Sequence, residues 1–250
     1  MPYAKNGTIN IYYEVEGEGP PLLMLHGLTG SLEGYKETGF VEALNDEYQV
    51  ILMDARGHGK SDKPHDPAMY VTNILVFDVI AVLDSLGIKA TNFFGYSFGG
   101  GIAFECAKYA PERMKSLIVG GAGARQPSVE TYDKLINSLK TGKEAVTSKY
   151  TRGGELSPQE THLLAIDLEA IEALCKAIVS SPAVINEVPN MNKPFLLFVG
   201  EFDNPSAVEE TSELLPDATF VLLPGLDHVQ AGSRPDLIVP YIKEFLSRVN

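Results

Sequence analysis

The stretch Gly95-Tyr96-Ser97-Phe98-Gly99 sets a serine between two glycines, each two residues away. A serine hydroxyl is a poor nucleophile until a neighbouring base takes its proton. The apolar run Asn92-Phe93-Phe94 before it reads as a buried strand, and the residues after it read as a helix. That context places Ser97 on a sharp strand-to-helix turn. Side chains at 95 or 99 would collide there with the adjoining strand or helix, and Gly100, Gly101 and Ala103 extend the small surface along which the helix meets the sheet. The turn would hold Ser97 strained and exposed, with a helix N-terminus behind it that favours developing negative charge.

Such a serine needs a base, and the chain has five histidines. His228, in Leu223-Pro224-Gly225-Leu226-Asp227-His228-Val229, follows the last strand-like run, where a loop would reach the same sheet edge as Ser97. His26 and His58 precede glycines and read as hydrogen-bonding supports of tight turns; His65 lies in a polar, proline-flanked loop and His162 in a helical stretch. The imidazole in turn needs a carboxylate to hold its tautomer. Asp203, in Val199-Gly200-Glu201-Phe202-Asp203-Asn204-Pro205, follows a buried strand; Glu201 competes with it, and Asp227 adjoins the histidine itself. The order Ser97, Asp203, His228 differs from the orders of the chymotrypsin and subtilisin folds.

The elements that would carry these residues alternate. Asn6-Gly7 signals a hairpin into a strand near Thr8–Val15. Short apolar runs follow at Leu22–Leu25, Val50–Met53, Asn92–Gly95, Ser116–Val119, Phe195–Val199 and Thr219–Leu223, the mark of strands buried on both faces. Helical periodicity separates them near Leu32–Leu44, Asn73–Leu86, Ser97–Tyr109, Ser206–Leu214 and Pro235–Val249. This is an α/β pattern with a mostly parallel sheet covered by helices on both faces. From 124 to 193 only helical patterns appear, near Val129–Leu139, Gly142–Thr151 and Pro158–Ser180. The expected organisation is a core domain of 1–123 and 194–250 with a helical cap of 124–193 inserted into it.

Composition narrows the function. Twenty Lys and Arg against 33 Asp and Glu leave a net charge of −13, which repels phosphate backbones and anionic lipid and excludes a nucleic-acid or membrane-surface role. The two cysteines, Cys106 and Cys175, read as reduced and buried. Without an apolar leader or a run long enough to span a bilayer, a cytoplasmic location is expected. Gly59-Lys60-Ser61 ends like a phosphate-binding loop, but Asp54 stands where that loop needs glycine; Gly120-Gly121-Ala122-Gly123 lacks a dinucleotide-binding spacing, with Gln126 at the third position. No metal-ligand motif is present, and a serine mechanism requires no cofactor.

Together with Leu25-His26-Gly27-Leu28, Asp54-Ala55-Arg56-Gly57-His58-Gly59-Lys60-Ser61, Gly200-Glu201-Phe202-Asp203 and Gly225-Leu226-Asp227-His228, the serine turn resembles the motifs of the α/β-hydrolase superfamily over nearly the full chain. The resemblance implies an eight-stranded, mostly parallel sheet with a helical cap after the sixth strand. It makes Ser97 nucleophile, His228 base and Asp203 the orienting acid, with the backbone N–H groups of Leu28 and Phe98 as oxyanion donors. Relatives in fold that use an aspartate at position 97, the haloalkane dehalogenases and epoxide hydrolases, part company here. The absence of tryptophan separates the chain from the cofactor-free haloperoxidases, proline iminopeptidases and ring-cleavage C–C hydrolases. It most resembles carboxylesterases and 3-oxoadipate enol-lactonases. The expected activity is hydrolysis of short- to medium-chain carboxylic esters through an acyl-enzyme, by a monomer or homodimer. Lactone hydrolysis is the nearest alternative, followed by perhydrolase or thioesterase activity, and a ligand-binding receptor on the same scaffold is the non-enzymatic one. Leu28, Phe98, Tyr132, Leu135, Tyr150 and Val229 are candidate substrate walls. Arg125 and Arg152 are the side chains that could meet a substrate carboxylate, as an enol-lactone would require.

Overall fold

A computed structural model describes residues 2–125 and 128–249. Eight strands form one sheet: β1 (Tyr3–Asn6), β2 (Ile9–Glu16), β3 (Pro21–Leu25), β4 (Gln49–Met53), β5 (Thr91–Tyr96), β6 (Met114–Gly120), β7 (Phe195–Gly200) and β8 (Ala218–Leu223). Their spatial order is β1-β2-β4-β3-β5-β6-β7-β8. The pairs β1–β2 and β2–β4 are antiparallel, and every pairing from β4 to β8 is parallel. The opening hairpin is an antiparallel edge, as the sequence predicts, but its turn residues are Gly7-Thr8, because Asn6 already pairs with Ile9.

The helices are α1 (Glu33–Glu37), α2 (Phe40–Leu44), α3 (Thr72–Ser85), α4 (Phe98–Tyr109), α5 (Val129–Thr151), α6 (Pro158–Ala165), α7 (Leu168–Ser180), α8 (Pro205–Leu214), α9 (His228–Ala231) and α10 (Pro235–Val249). Successive strand residues point to opposite faces, and both faces are buried. Leu23, Leu25 and Phe93 face one apolar layer with α3 and α4; Leu22, Met24 and Phe94 face the other with α1, α2 and α10. This is why the strands read as unbroken apolar runs.

Three helical expectations are corrected. The helix read over Leu32–Leu44 is two short ones, parted at Gly39, whose φ of 87° is left-handed. The break read between Leu139 and Gly142 does not exist: α5 runs 23 residues through Gly142, where the Leu163 side chain of α6 packs at 3.1 Å from the position a Cβ would take. Conversely, the single helix read over Pro158–Ser180 is α6 and α7. Asp167 starts the second by accepting the Ala170 N–H at 3.1 Å, and Lys143 donates to the carbonyl of Leu164 at 2.9 Å at the end of the first.

The segment between β6 and β7 is helical, with no strand among its described residues; Gln126 and Pro127, near the expected start of the cap, lie outside them. No described helix is long and apolar enough to cross a membrane. The parallel register sets Leu25 beside Gly95, Tyr96 beside Gly120, Gly120 beside Phe198, and Gly200 beside Leu223. The carboxyl ends of β3, β5, β7 and β8 are thereby level, and the loops after them carry Leu28, Ser97, Asp203 and His228. Open α/β sheets bind ligands along this edge.

Candidate active site

Ser97 has φ 52° and ψ −110°, an unusual conformation for a residue with a side chain. It is held there from both sides: its N–H donates to the Gly120 carbonyl at 2.7 Å, and the Gly101 N–H donates to its carbonyl at 3.0 Å. A Cβ on Gly95 would run into the Gly99 backbone, and one on Gly99 would run into the Leu25 carbonyl. These contacts are the physical content of the two flanking glycines.

Above this turn the imidazole of His228 lies with Nε2 3.0 Å from Ser97 Oγ and Nδ1 2.6 Å from Asp203 Oδ2. The three side chains expected from sequence are therefore brought together in a continuous hydrogen-bond chain. The competing acids have other partners. Glu201 accepts the Gly225 N–H at 2.8 Å and ties the β7 loop to the β8 loop. Asp227 caps α9, accepting the Gln230 N–H at 2.8 Å, while the Gln230 side chain accepts the Asp227 N–H at 3.0 Å.

Sequence reasoning passed over Tyr96. Its hydroxyl donates to the His228 carbonyl, and its ring lies 5.4 Å from the imidazole, tilted against it. Burial raises the Tyr96 hydroxyl above its ordinary value, so it remains a donor at neutral pH. Gly121 lies under the same group, with His228 Cε1 and the Tyr96 ring 3.0 Å from where a Cβ would be. The glycine cluster after β6, unsuited to a dinucleotide, makes room for the imidazole and its support.

The loop after β3 passes beside Ser97: a Cβ on Gly27 would be 3.4 Å from the Ser97 Cβ. Phe98 opens α4, so its N–H is one of the first four that have no acceptor within the helix. Leu28 is half-buried and packs against both the core and an apolar cluster of Ile136, Ile171 and Cys175 from the helical insert. Tyr132 joins that cluster, Leu135 is half-buried outside it, and Phe98 stacks on the His58 ring at 5.8 Å. Tyr150 is 62% exposed at the end of α5, and Val229 is 73% exposed beside His228.

His26 and His58 act as expected. His26 Nε2 accepts the Ala55 N–H at 3.1 Å and Nδ1 donates to the Gly27 carbonyl at 2.8 Å. His58 Nε2 accepts the Thr29 N–H at 3.3 Å. Burial lowers both, His58 to about 3, so both are neutral. The thiols are unsuited to nucleophilic work, because burial pushes Cys106 well up and Cys175 to about 12. Arg125 binds Glu210, with Nε 2.8 Å from Oε2, and Arg152 is exposed at the end of α5. A cleft of about 340 Å³ opens between α5 and α7, with Tyr132, Ile136, Cys175 and Val179 among its walls. Among the described residues, no group of His, Cys, Asp and Glu is placed to hold a metal ion.

Fold and site together define the class: the chain belongs to the α/β-hydrolase fold family, whose model matches residues 20–163. It is 26% identical to 3-oxoadipate enol-lactonase 2 of Acinetobacter baylyi, over 99% of this chain and 96% of that one. Among solved structures, it superposes on the enol-lactonase from Burkholderia xenovorans with a TM-score of 0.84, at 25% identity over 98% of this chain and 100% of the other. A thermophilic esterase from Thermogutta terrifontis shares the fold with a TM-score of 0.81, at 24% identity over 99% and 97% of the two chains.

Proposed function

We propose that the protein is a serine hydrolase that cleaves short- to medium-chain carboxylic esters through an acyl-enzyme. The observation that carries the reading is the Ser97–His228–Asp203 chain, with Nε2 3.0 Å from the hydroxyl and Nδ1 2.6 Å from the carboxylate. His228 takes the Ser97 proton as Oγ attacks the ester carbonyl, and the Leu28 and Phe98 N–H groups stabilise the oxyanion. His228 then gives the proton to the departing alcohol. It next takes a proton from water as that water attacks the acyl group, then returns the proton to Ser97 Oγ as the C–O bond to the serine breaks and the acid leaves. Asp203 holds the imidazole tautomer throughout. Residues 124–193 act as a cap over this site.

A lactone is an internal ester, and the likeness to two enol-lactonases makes lactone hydrolysis the second reading. The surroundings favour a neutral substrate over a carboxylated enol-lactone, since Arg125 already binds Glu210 and Arg152 lies at the exposed end of α5. The test is a panel of p-nitrophenyl esters from acetate to octanoate beside simple lactones. The ester reading expects fastest turnover at short to medium chains. Folded protein that opens lactones and leaves every ester intact would replace the first reading with the second.

A further inference from the structure

We propose that His162, from the helical insert, is a positioning residue for the oxyanion donor at Leu28. The proposal rests on the acyl-transfer reading above and adds a residue outside the triad to it.

His162 Nε2 donates to the Thr29 carbonyl at 2.7 Å, from α6 to a loop 133 residues earlier. A trans peptide unit is planar, with its C=O and N–H pointing in opposite directions. Holding the Thr29 carbonyl therefore aims the N–H of the same unit, that of Gly30, away from α6. That N–H donates to the Gly27 carbonyl at 3.0 Å. The Gly27 carbonyl, also held by His26 Nδ1 at 2.8 Å, belongs to the unit whose N–H is that of Leu28. One chain of hydrogen bonds thus runs from His162 through two peptide units to the Leu28 N–H, the donor of the acyl-transfer reading, and bonds in such a chain polarise one another.

Two further observations point the same way. Thr29 has φ 68°, a conformation in which a β-branched residue persists only when its surroundings fix it. They fix it from both sides, with His58 on its N–H and His162 on its carbonyl. The Leu28 side chain, meanwhile, packs against the insert's apolar cluster of Ile136, Ile171 and Cys175. His26 and His58 are buried parts of the core, whereas His162 is exposed, so replacing it leaves no cavity.

Labelling of Ser97 by a fluorophosphonate tests this without knowledge of the substrate. Ser97 Oγ bonds to phosphorus, the P–F bond breaks, fluoride leaves, and His228 takes the proton. The adduct is located by mass spectrometry, and its formation is followed against probe concentration to separate the maximal rate from the half-saturating concentration. In His162→Ala the maximal rate is expected to fall about tenfold, with half-saturation unchanged within about twofold. His162→Gln keeps an N–H at similar reach and restores the rate, while His162→Phe keeps a ring without a donor and behaves like the alanine variant. An unchanged rate in His162→Ala, a loss confined to half-saturation, or a glutamine variant no better than alanine at equal thermal stability would overturn the proposal alone. Folded wild type that takes no label at Ser97 would overturn the acyl-transfer reading, and this proposal with it.

Discussion

The sheet and the helical insert are held in different ways. Strand β7 buries all six of its residues, whereas α5 buries only Ile136 and Val146 of its 23. Helix α7 mediates between them: Ala173, Leu174 and Ala177 join the core, while Ile171 and Cys175 turn to α5. Helix α5 packs on α6 and α7 and forms an outer layer. Polar contacts supply much of what else holds the insert, such as the pairs of His65 with Asp167 and Glu169, which reach it from the core, and the pair of Lys149 with Glu160, which joins α5 to α6. Exposed pairs of this kind contribute about 0–1 kcal/mol each. The division sets Ser97, Asp203 and His228 on the stiff sheet edge and leaves α5 a lightly held outer layer.

The largest expected effect lies in the core. Arg56 is buried and binds Asp78 through Nε at 3.0 Å and Nη2 at 2.6 Å, with Nη1 on the Met69 carbonyl at 2.7 Å. Arg56→Met strands the Asp78 carboxylate and is expected to cost about 3–5 kcal/mol in urea unfolding. A loss below about 1 kcal/mol, as for a surface pair, would show that the core is not held as described.

Acid should separate the two regions by sign. His58, lowered from 6.5 to about 3, stays neutral in the folded protein while the unfolded chain binds a proton. Its contribution is therefore present above pH 6.5 and is lost as pH falls toward 3, by about 1.4 kcal/mol per pH unit; His26 acts in the same direction. His65 is opposite: its hydrogen bond to Asp167 raises it, so its contribution is full below 6.5 and fades as pH rises. Urea titrations at pH 5 and 8 should show His65→Ala less stable than wild type at pH 5 and equal to it at pH 8.

Next in size is Tyr96→Phe, which keeps the ring under His228 and removes the hydroxyl that holds its carbonyl. The expected result is a fall in kcat of about tenfold with KM and thermal stability nearly unchanged. The smallest effect should come from the insert. Lys149→Ala is expected to change stability by about 0.5 kcal/mol or less; a loss as large as that of Arg56→Met would break the contrast between the two regions.

The same contrast governs what could be read in the sequence. The buried strands were legible because a short, unbroken apolar run suits a strand covered on both faces. The turn at Ser97 was legible because glycines at 95 and 99 leave room for a strand and a helix to meet closely. Asp203 was separable from Glu201 and Asp227 only by position along the chain; their hydrogen bonds to the Gly225 and Gln230 N–H groups exist only once the loops are folded. In the insert, local rules misled. Gly142 suggested a break where a neighbouring helix needs room, and one helix ends at its cap Ile166 and the next begins from Asp167 without glycine or proline. Tyr96 was missed because its partner is a backbone carbonyl 132 residues away, which no residue type announces.

The central claim is that Ser97, activated by His228, carries the chemistry. Hydrolysis of p-nitrophenyl butyrate by wild type and Ser97→Ala, side by side and at matched thermal stability, tests it most directly. The account predicts ready turnover by wild type and a loss on the order of 10⁴-fold or more in the variant. Activity that survives in Ser97→Ala would contradict it.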